Sequence, residues 1–191
     1  MKKIPSIFIR DQQTKLLTDE VNPECLWVFA GEGVATIKYD GSAVMVKGGK
    51  YFKRYDAKHG KTPPPDFIPA QDPDPVTGHW PGWLPVDAQN PNDKWHMEGL
   101  CNVPVEELMR DATYELVGPK VQANPYHLTR HELWRHGQEE VTFTRAGYAE
   151  MKIWFLDNAP IEGIVFHHPD GRMAKIKSRD FGIEWRAKEG K

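Results

Sequence analysis

The amino-acid sequence predicts an α+β protein in which antiparallel sheets are flanked by helices. Apolar and β-branched runs of the first half are separated by the tight-turn signals Asp40-Gly41 and Gly48-Gly49, which is typical of antiparallel strands. Two segments of the second half carry the start and stop signals of helices. The last apolar runs flank Pro169-Asp170-Gly171, which predicts a terminal hairpin. A chain of 191 residues is long enough for one domain with one hydrophobic core.

Residues 33–56 predict a β-meander. Its three strands are expected at 34–38, 42–47 and 50–55. Asp40-Gly41 would form the first turn and Gly48-Gly49 the second. This arrangement puts Lys38 at the end of a strand beside a tight turn, where a rigid sheet can present its side chain.

Residues 62–91 are so dense in proline and glycine that no regular strand or helix is expected there. The segment also contains Trp80 and Trp83, whereas disordered linkers are poor in aromatic residues. We therefore predict a long ordered loop that packs on the domain. Two interpretations stay open: a functional element, since ordered loops of this length are uncommon, and a surface flap with structural tryptophans.

The other elements of the second half follow from helix caps and β-rich runs. A short helix is expected at 104–110, and a longer one from its cap Thr144 to about Asn158, before Pro160. The predicted strands are 112–117, 131–136, 140–144, 161–167 and 172–177.

Composition excludes several classes of protein. No apolar run approaches the ~20 residues of a membrane helix, and the first residues lack the apolar core of a signal peptide. Cys25 and Cys101 lie far apart in sequence, so no disulfide framework is implied and a reducing cytosol is expected.

The formal net charge is only −2, but basic residues form two clusters that would allow a polyanion to be held on one face. The first cluster comprises Lys47, Lys50, Lys53, Arg54, Lys58 and Lys61. The second comprises Arg172, Lys175, Lys177, Arg179, Arg186 and Lys188.

Three short motifs follow one another: Lys38-Tyr39-Asp40-Gly41, Glu162-Gly163-Ile164-Val165 and Lys175-Ile176-Lys177. One Lys-x-Asp-Gly tetrapeptide carries little information, since chance produces it in roughly a few per cent of chains of this length. Three compatible motifs in this order, with strand character around each, are far more specific. The arrangement resembles the covalent nucleotidyltransferase superfamily of RNA ligases, DNA ligases and mRNA capping enzymes. The likeness is greatest to the compact RNA ligases of phages and their vertebrate relatives, from about residue 26 to about residue 180.

The predicted terminal hairpin brings charged residues of these motifs together. With a turn centred on Pro169-Asp170, Glu162 faces Lys177 and Ile164 faces Lys175. The period of two along a strand puts Lys175 and Lys177 on the same face. One carboxylate and two ammonium groups on one surface suit a triphosphate with its metal ion. A cross-strand salt bridge alone would explain Glu162 and Lys177 but not the second lysine.

The resemblance implies that Lys38 is the nucleophile, which attacks the α-phosphate of ATP and carries AMP as a phosphoramidate. The attacking amine must be uncharged, and we expect burial and neighbouring cations to favour that form. Lys175 and Lys177 would complete the catalytic set and, like Glu162, contact ATP. Asp40 and Glu162 would hold Mg2+ or Mn2+ through water.

The resemblance also assigns the remaining ATP contacts. Glu115, in a strand with glycine close behind, would bind the ribose hydroxyls. Arg54 would contact the ribose or a terminal phosphate, with Lys53 as the alternative. Trp134 would stack on the adenine, with Leu133 on the opposite face as the alternative. Burial of Trp134 in the core fits the pattern equally well.

The function implied by the resemblance is that of an ATP-dependent RNA ligase in RNA repair. It would join a 5′-phosphate to a 3′-hydroxyl through lysyl-AMP and an adenylated RNA 5′ end. The implied fold is one nucleotidyltransferase domain over residues 1–191, an ATP-grasp-like adenylyltransferase core. No OB domain is expected, because only residues 178–191 follow the last motif.

RNA would be the partner of a monomeric protein in the cytoplasm, or in the host cytoplasm if a phage encodes it. The basic clusters and the tryptophans of residues 62–91 are expected to hold that RNA. Two alternatives stay open. One keeps the chemistry but changes the acceptor, as in a nick-sealing DNA ligase or a GTP-dependent capping enzyme. The other is a non-catalytic nucleotide- or RNA-binding module with the same fold.

Overall fold

The computed structural model describes residues 2–186, in which all neighbouring strands of the three sheets are antiparallel. The strands are β1 (Phe8–Arg10), β2 (Leu17–Val21), β3 (Val34–Lys38), β4 (Ser42–Lys47), β5 (Lys50–Ala57), β6 (Ile68–Pro69), β7 (Trp80–Pro85), β8 (Ala112–Val117), β9 (Glu132–Arg135), β10 (Gly163–His167) and β11 (Met173–Lys177). The helices are α1 (Leu26–Phe29), α2 (Lys94–Cys101), α3 (Val105–Leu108) and α4 (Tyr148–Asp157). The predicted α+β class with antiparallel sheets is confirmed.

The chain divides into two compact units, which we name after their main sheets. Within the described residues, the six-strand unit contains residues 2–3 and Asp40–His136. The three-strand unit contains Ile4–Tyr39 and residues 137–186. The single nucleotidyltransferase domain stays a prediction.

The sheet of the six-strand unit has the order β6-β7-β5-β4-β8-β9. Alternate residues of β4, β8 and β9 form an apolar face that packs with α2 and α3. This core contains Val44, Val46, Leu100, Leu108, Tyr114, Leu116 and Leu133. The residues between them belong to the opposite face of the sheet.

The three-strand unit has one sheet of order β11-β10-β3 and a second sheet of β1 and β2. Its core receives one face of the three-stranded sheet and the helix α4. The fully or almost fully buried residues here are Ala35, Met151, Phe155, Ile164, Phe166, Ala174 and Ile176. The opposite face of this sheet carries Lys38, Lys175 and Lys177.

The predicted β-meander was wrong at its first turn. All three strands exist, but β3 pairs with β10, while β4 pairs with β5 and β8. Asp40-Gly41 therefore links two sheets. Gly41 is required by close packing, because a Cβ there would lie 2.1 Å from the carbonyl oxygen of Leu116. Gly48 and Gly49 do form the predicted two-residue turn, with φ of +56° and +69°.

The prediction that residues 62–91 contain no regular strand was also wrong. β7 pairs with β5 along its whole length, and β6 pairs with β7. The carbonyl of Pro81 accepts a hydrogen bond from the Ala70 N–H (3.0 Å), so residue 81 directs its backbone away from β5. Pro85 lies four residues further along β7, so its backbone also points away from β5. Both prolines thus lie where β5 needs no N–H donor.

Predictions for the second half are partly confirmed. β8 has the predicted bounds, while β9, β10, β11 and α3 lie within their predicted segments. Residues 140–144 do not form a strand; Glu140 makes one isolated bridge with Thr36. The helix expected from Thr144 begins at Tyr148, after Gly147 as its N-cap residue. The sequence predicted neither α2 nor β1, β2 and α1. No helix within residues 2–186 is long and apolar enough to cross a membrane.

Candidate active site

Lys38 is the last residue of β3 and belongs to a row of three residues across the three-stranded sheet. Gly163, on the central strand, lies opposite Lys38 on one side and opposite Lys177 on the other. Directly opposed residues of an antiparallel sheet project to the same face. Lys38 and Lys177 therefore flank a position that has no side chain.

The carboxylate of Glu162 lies between these two lysines. Its Oε2 is 2.9 Å from Lys38 Nζ, and its Oε1 is 2.9 Å from Lys177 Nζ. The Glu162 side chain is only 4% exposed, against 21% for Lys38 and 14% for Lys177. A carboxylate as buried as this one requires charged partners, which the two lysines provide.

The register of the terminal hairpin is shifted by one residue from the prediction. The residues opposite Lys177 and Lys175 are Gly163 and Val165, not Glu162 and Ile164. The cause lies in the loop, which is centred on Asp170 because Gly171 adopts a left-handed conformation (φ +91°) and extends the turn. Glu162 still reaches Lys177, because it lies just before β10, where the alternation of the strand no longer fixes its side chain.

Gly163 leaves no space for a larger residue. A Cβ at this position would lie 2.5 Å from the carbonyl oxygen of Ile176 and 3.1 Å from Lys177 Cα. β10 and β11 would have to separate to accept it. The absence of a side chain at Gly163 thus keeps Lys38 and Lys177 close to the same carboxylate.

Lys175 lies on the same face as Lys177, as predicted, because the two lysines alternate along β11 with the fully buried Ala174 and Ile176. Burial, together with the charges of Lys177 and Lys38, lowers the pKa of Lys175 to about 8. Burial and Lys38 also lower the pKa of Lys177, although Glu162 opposes this effect. The surface therefore has more positive than negative charge, which is the electrostatic character of an anion-binding site.

The other predicted ATP contacts lie in the six-strand unit. The pairing of its strands puts Trp134, Glu115 and Arg54 on one face of the sheet. Trp134, Glu115 and Ala43 lie opposite one another across β9, β8 and β4, and Arg54 lies opposite Trp83 across β5 and β7. Because Met45 pairs with Phe52, the period of two puts Ala43 and Arg54 on one face, so the two sets form a row. We call it the Glu115 row. Its members share the face opposite the apolar core, and the small side chain of Ala43 separates Glu115 from Arg54.

Both carboxylate oxygens of Glu115 accept hydrogen bonds. Oε1 accepts from the backbone N–H of Gly41 at 3.0 Å, and Oε2 lies 2.8 Å from His136 Nε2. The other ring nitrogen of His136 lies 3.0 Å from Thr113 Oγ1. A carboxylate oxygen can accept two hydrogen bonds, so Glu115 retains capacity for ligand hydroxyls. His136 was not among the predicted site residues, although its spacing of two from Trp134 would have placed it on this face.

The structure separates Trp134 from Leu133. Leu133 packs in the apolar core, so the core position that the sequence left open for Trp134 is occupied by its neighbour. The Trp134 indole N–H donates to Glu132 at 3.0 Å, and its ring centroid is 4.7 Å from that of Tyr126. The Tyr126 hydroxyl accepts the backbone N–H of Asp40 at 2.7 Å. The roles of Trp134 in base stacking and of Asp40 in metal binding stay predictions.

Arg54 and Lys53 point to opposite faces of β5. Lys53 forms an ion pair with Asp93, which is 1% exposed, and so has a structural partner. Arg54 lies in the Glu115 row, with Nε 3.2 Å from Asp56 and its guanidinium carbon 5.5 Å from the centre of the Trp83 ring. Only Arg54 therefore shares the face of Glu115.

The tryptophans and basic clusters that were expected to bind RNA are only partly available for that role. Trp83 is 2% exposed and cannot stack on a base. Trp80 donates its indole N–H to the Gln71 carbonyl at 2.7 Å and contacts Phe67 edge-on. Trp83 is thus structural, whereas stacking by the half-buried Trp80 stays a prediction. Lys53 of the first basic cluster is engaged with Asp93. Lys188 of the second cluster lies outside the described residues.

Glu162 could bind a divalent cation only together with water and phosphate ligands. Within residues 2–186, no three His, Cys, Asp or Glu side chains are grouped as metal ligands. Oε2 of Glu162 is buried and has no hydrogen-bond partner among these residues besides its ion pair with Lys38. Magnesium commonly combines one or two carboxylates with waters and substrate phosphates. The residues present therefore fit an ion that enters with a phosphate ligand.

Comparison with known proteins finds similarity to RNA ligases. The family model described as RNA ligase 1 matches residues 97–191. The RNA ligase 1 of Danio rerio is 32% identical over 138 residues, which cover 56% of this chain and 42% of that protein. The Pongo abelii protein of the same name is 28% identical over 163 residues, covering 65% of this chain and 50% of that protein.

These similarities support an RNA ligase-like family for the chain. It spans about half the length of the curated RNA ligase 1 relatives that it matches. The segment matched by the RNA ligase 1 family model contains Glu115, Trp134, Glu162, Lys175 and Lys177, whereas Lys38, Asp40 and Arg54 precede it.

Proposed function

We propose that this chain is an ATP-dependent RNA ligase whose antiparallel sheets form a nucleotidyltransferase core. The observation that carries the proposal is the contact of one buried carboxylate, Glu162, with both Lys38 and Lys177. Lys175 adds a third cation to the same face. The names of the relatives support RNA as the substrate.

In the proposed first step, the uncharged amine of Lys38 attacks the α-phosphate of ATP. A bond forms between Nζ and phosphorus, the bond from phosphorus to the bridging oxygen breaks, and pyrophosphate leaves. The nitrogen of Lys38 releases one proton to the surroundings, keeps the other and carries AMP as a phosphoramidate. Its position at the end of a three-stranded sheet restricts the motion of the nucleophile, which favours in-line attack.

Lys175 and Lys177 would stabilise the negative charge that develops on the α-phosphate. Both lie on a rigid strand, and their positions are fixed before ATP binds. Incoming phosphate would also relieve the repulsion between Lys175 and the two lysines that contact Glu162. Glu162 would hold Mg2+ or Mn2+ through water, and such an ion neutralises phosphate charge when it is bound.

In the six-strand unit, we assign nucleoside recognition to the Glu115 row. Glu115 would accept hydrogen bonds from the ribose hydroxyls, and Trp134 would stack on the base. Arg54 would contact the ribose or a phosphate. His136 and Gly41 hold the Glu115 carboxylate in place, as their hydrogen bonds to it show.

In the second and third steps, the RNA 5′-phosphate would attack the phosphorus of lysyl-AMP and release Lys38, giving an adenylated RNA 5′ end. The RNA 3′-hydroxyl would then attack that 5′-phosphate, form the phosphodiester and release AMP. Lys38 takes up a proton as its bond to phosphorus breaks in the second step, and the 3′-hydroxyl releases its proton as the phosphodiester forms in the third.

A ligation assay tests the proposal. Single-stranded RNA with a labelled 5′-phosphate and a 3′-hydroxyl is incubated with ATP and magnesium, and a sealed product makes the label resistant to phosphatase. We expect sealing by the wild type and none by Lys38→Ala. Sealing of nicked DNA but not of RNA would move the activity to DNA ligation. Equal sealing by the wild type and Lys38→Ala would contradict the assignment of the nucleophile.

A further inference from the structure

A cavity of about 360 Å³ lies in the six-strand unit next to the Glu115 row. Arg54 belongs to that row and also lines the cavity. Asp56 and Pro81, which lie opposite each other, project to the same face one step further along their strands. The other lining residues are Lys3, Gln71, Asp74, Thr77 and His79.

Cationic and carboxylate groups are paired around this cavity. Lys3 Nζ lies 3.4 Å from Asp74, and Arg54 Nε lies 3.2 Å from Asp56. Exposed pairs of this kind are worth only about 0–1 kcal/mol, so a ligand phosphate can exchange with the carboxylates at little cost. The cavity thus offers cations for a phosphate and carboxylates for hydroxyl donors.

Asp74 is an oriented acceptor. Its Oδ1 accepts hydrogen bonds from the backbone N–H groups of Val76 and Thr77, both at 3.0 Å. These bonds lower the pKa of Asp74 to about 2, so it remains ionised at neutral pH. Lys3 is held on the same wall, because its backbone N–H donates to Gln71 Oε1 at 2.7 Å.

A second, wider cavity of about 660 Å³ continues along residues 69–75. It shares Lys3, Gln71 and Asp74 with the first cavity and adds Lys2. The two cavities therefore adjoin at these shared residues, and we call them together the groove.

The geometry points to this groove as the binding site for the 5′-phosphorylated end of single-stranded RNA, with Lys3 on the phosphate, Asp56 and Asp74 on ribose hydroxyls, and Arg54 at the boundary with the row proposed for ATP. A bare phosphate would not require two carboxylates, whereas a ribonucleotide presents both phosphate and hydroxyl groups. The 2′-hydroxyl is the donor that DNA lacks. The inference rests on the proposed ligase function, because it assigns the second substrate to a position beside the row proposed for ATP.

The test separates RNA binding from reaction with ATP. The variants are Lys3→Glu and Asp74→Asn, and the control is Lys152→Glu, which makes the same charge change at an exposed site of α4 in the other unit. Fluorescence anisotropy gives the Kd of each protein for 5′-phosphorylated RNA, for 5′-hydroxyl RNA and for 5′-phosphorylated DNA. Transfer of label from α-labelled ATP to the protein is measured in parallel.

We expect Lys3→Glu to weaken binding of 5′-phosphorylated RNA by about tenfold, which corresponds to about 1.4 kcal/mol. Binding of 5′-hydroxyl RNA should weaken much less, and transfer of label from ATP should stay at the wild-type level. Asp74→Asn should reduce the preference for RNA over DNA. The Lys152→Glu control should bind all three ligands like the wild type.

Equal losses for Lys3→Glu and Lys152→Glu, or equal losses with and without the 5′-phosphate, would overturn the assignment of the groove. Absence of label transfer in the wild type would contradict the proposed ligase instead. In that case a selective loss of 5′-phosphorylated RNA binding in Lys3→Glu would still establish the groove, because the binding assay requires no catalysis.

Discussion

Three lysines and one carboxylate share a surface of the three-strand unit, and their charges do not balance. Glu162 contacts Lys38 and Lys177, while Lys175 is half-buried on the same face. Such an arrangement is unfavourable without an anion, and a triphosphate would complete it. Residues that favour phosphate binding should therefore reduce the stability of the ligand-free protein.

Replacement of Lys175 by methionine should stabilise the ligand-free protein at neutral pH. The folded pKa of Lys175, about 8, lies below the ordinary value of 10.5, so the folded state disfavours the proton that the unfolded chain binds. This penalty is complete below pH 8 and disappears as pH rises towards 10.5. Lys175→Met should therefore raise the free energy of unfolding by about 1–2 kcal/mol at pH 7, after allowance for solvent screening.

Urea denaturation at pH 7 and pH 10 measures this effect. The advantage of Lys175→Met over the wild type should shrink at the higher pH, and Lys152→Met on the exposed surface should show no such pH dependence. A Lys175→Met protein that is less stable than the wild type at pH 7 would contradict the charge imbalance.

Replacement of Glu162 by glutamine should destabilise the protein, because it leaves Lys38 and Lys177 without their shared counter-charge. Loss of one partner from a buried ion pair costs about 3–5 kcal/mol, and the partial exposure of the lysines puts Glu162→Gln near the lower limit. The loss should be smaller in a Lys177→Met background, since one uncompensated charge is then absent. Equal losses in both backgrounds, measured by urea denaturation, would show that Glu162 and Lys177 are not coupled.

Single residues were predicted from the sequence to different extents. The shared face of Lys175 and Lys177 followed from the period of two along a strand, which depends on local backbone geometry only. The contacts of Glu115 with His136 and Gly41 could not be predicted, because they depend on which strands become neighbours. The ion pair of Lys53 with Asp93 could not be predicted for the same reason, since Asp93 lies 40 residues away in sequence.

At the scale of elements, the hairpin of β10 and β11 and its pairing with β3 position the site. At Gly163, β10 and β11 lie too close together for a side chain, because a Cβ there would be 2.5 Å from the backbone of β11. The same hairpin contains a second glycine, Gly171, whose Cβ would meet nothing within 4 Å. The two glycines allow packing and turn conformation to be tested separately.

Gly163→Ala should separate β10 from β11, reduce stability by about 1–3 kcal/mol and abolish label transfer from ATP. Gly171→Ala forces alanine into a left-handed conformation and should cost about 1 kcal/mol, but its label transfer should resemble that of the wild type. Thermal unfolding and label transfer are measured for both variants. Full label transfer by Gly163→Ala would show that the spacing between Lys38 and Lys177 is not important.

Elements were predicted well where local signals decide and poorly where pairing decides. Gly48-Gly49 fixed a two-residue turn, and β8 was predicted at both ends. Asp40-Gly41 has the composition of a hairpin turn, but Gly41 is there because Leu116 approaches its backbone closely. The proline content of residues 62–91 does not predict β7, because the position of each proline within the strand matters more than the number of prolines. Pro81 and Pro85 lie at alternate positions whose backbone points away from β5, so neither removes a hydrogen bond to that strand.

At the scale of the whole molecule, a net charge of −2 gives little general attraction for RNA, so binding must depend on local cations. The salt dependence of RNA affinity should therefore be shallow. For single strands, the slope of log K against log salt is about −0.7 for each neutralised phosphate. Two or three phosphate contacts in the groove predict a slope of about −1.4 to −2.1.

Lys3→Glu should reduce this slope by at least about 0.7, equivalent to one phosphate contact. Titrations of 5′-phosphorylated RNA at several salt concentrations measure the slope for the wild type, Lys3→Glu and the Lys152→Glu control. An unchanged slope in Lys3→Glu would show that Lys3 makes no phosphate contact.

The proposed ligase depends on a covalent bond between Lys38 and AMP, and this bond can be detected without RNA. The wild type and Lys38→Ala are incubated with α-labelled ATP or GTP and magnesium or manganese, and then separated by denaturing electrophoresis. We predict label on the wild type with ATP, little with GTP, and none on Lys38→Ala with either nucleotide. No label on the wild type under any of these conditions, or equal label on both proteins, would contradict the proposed mechanism.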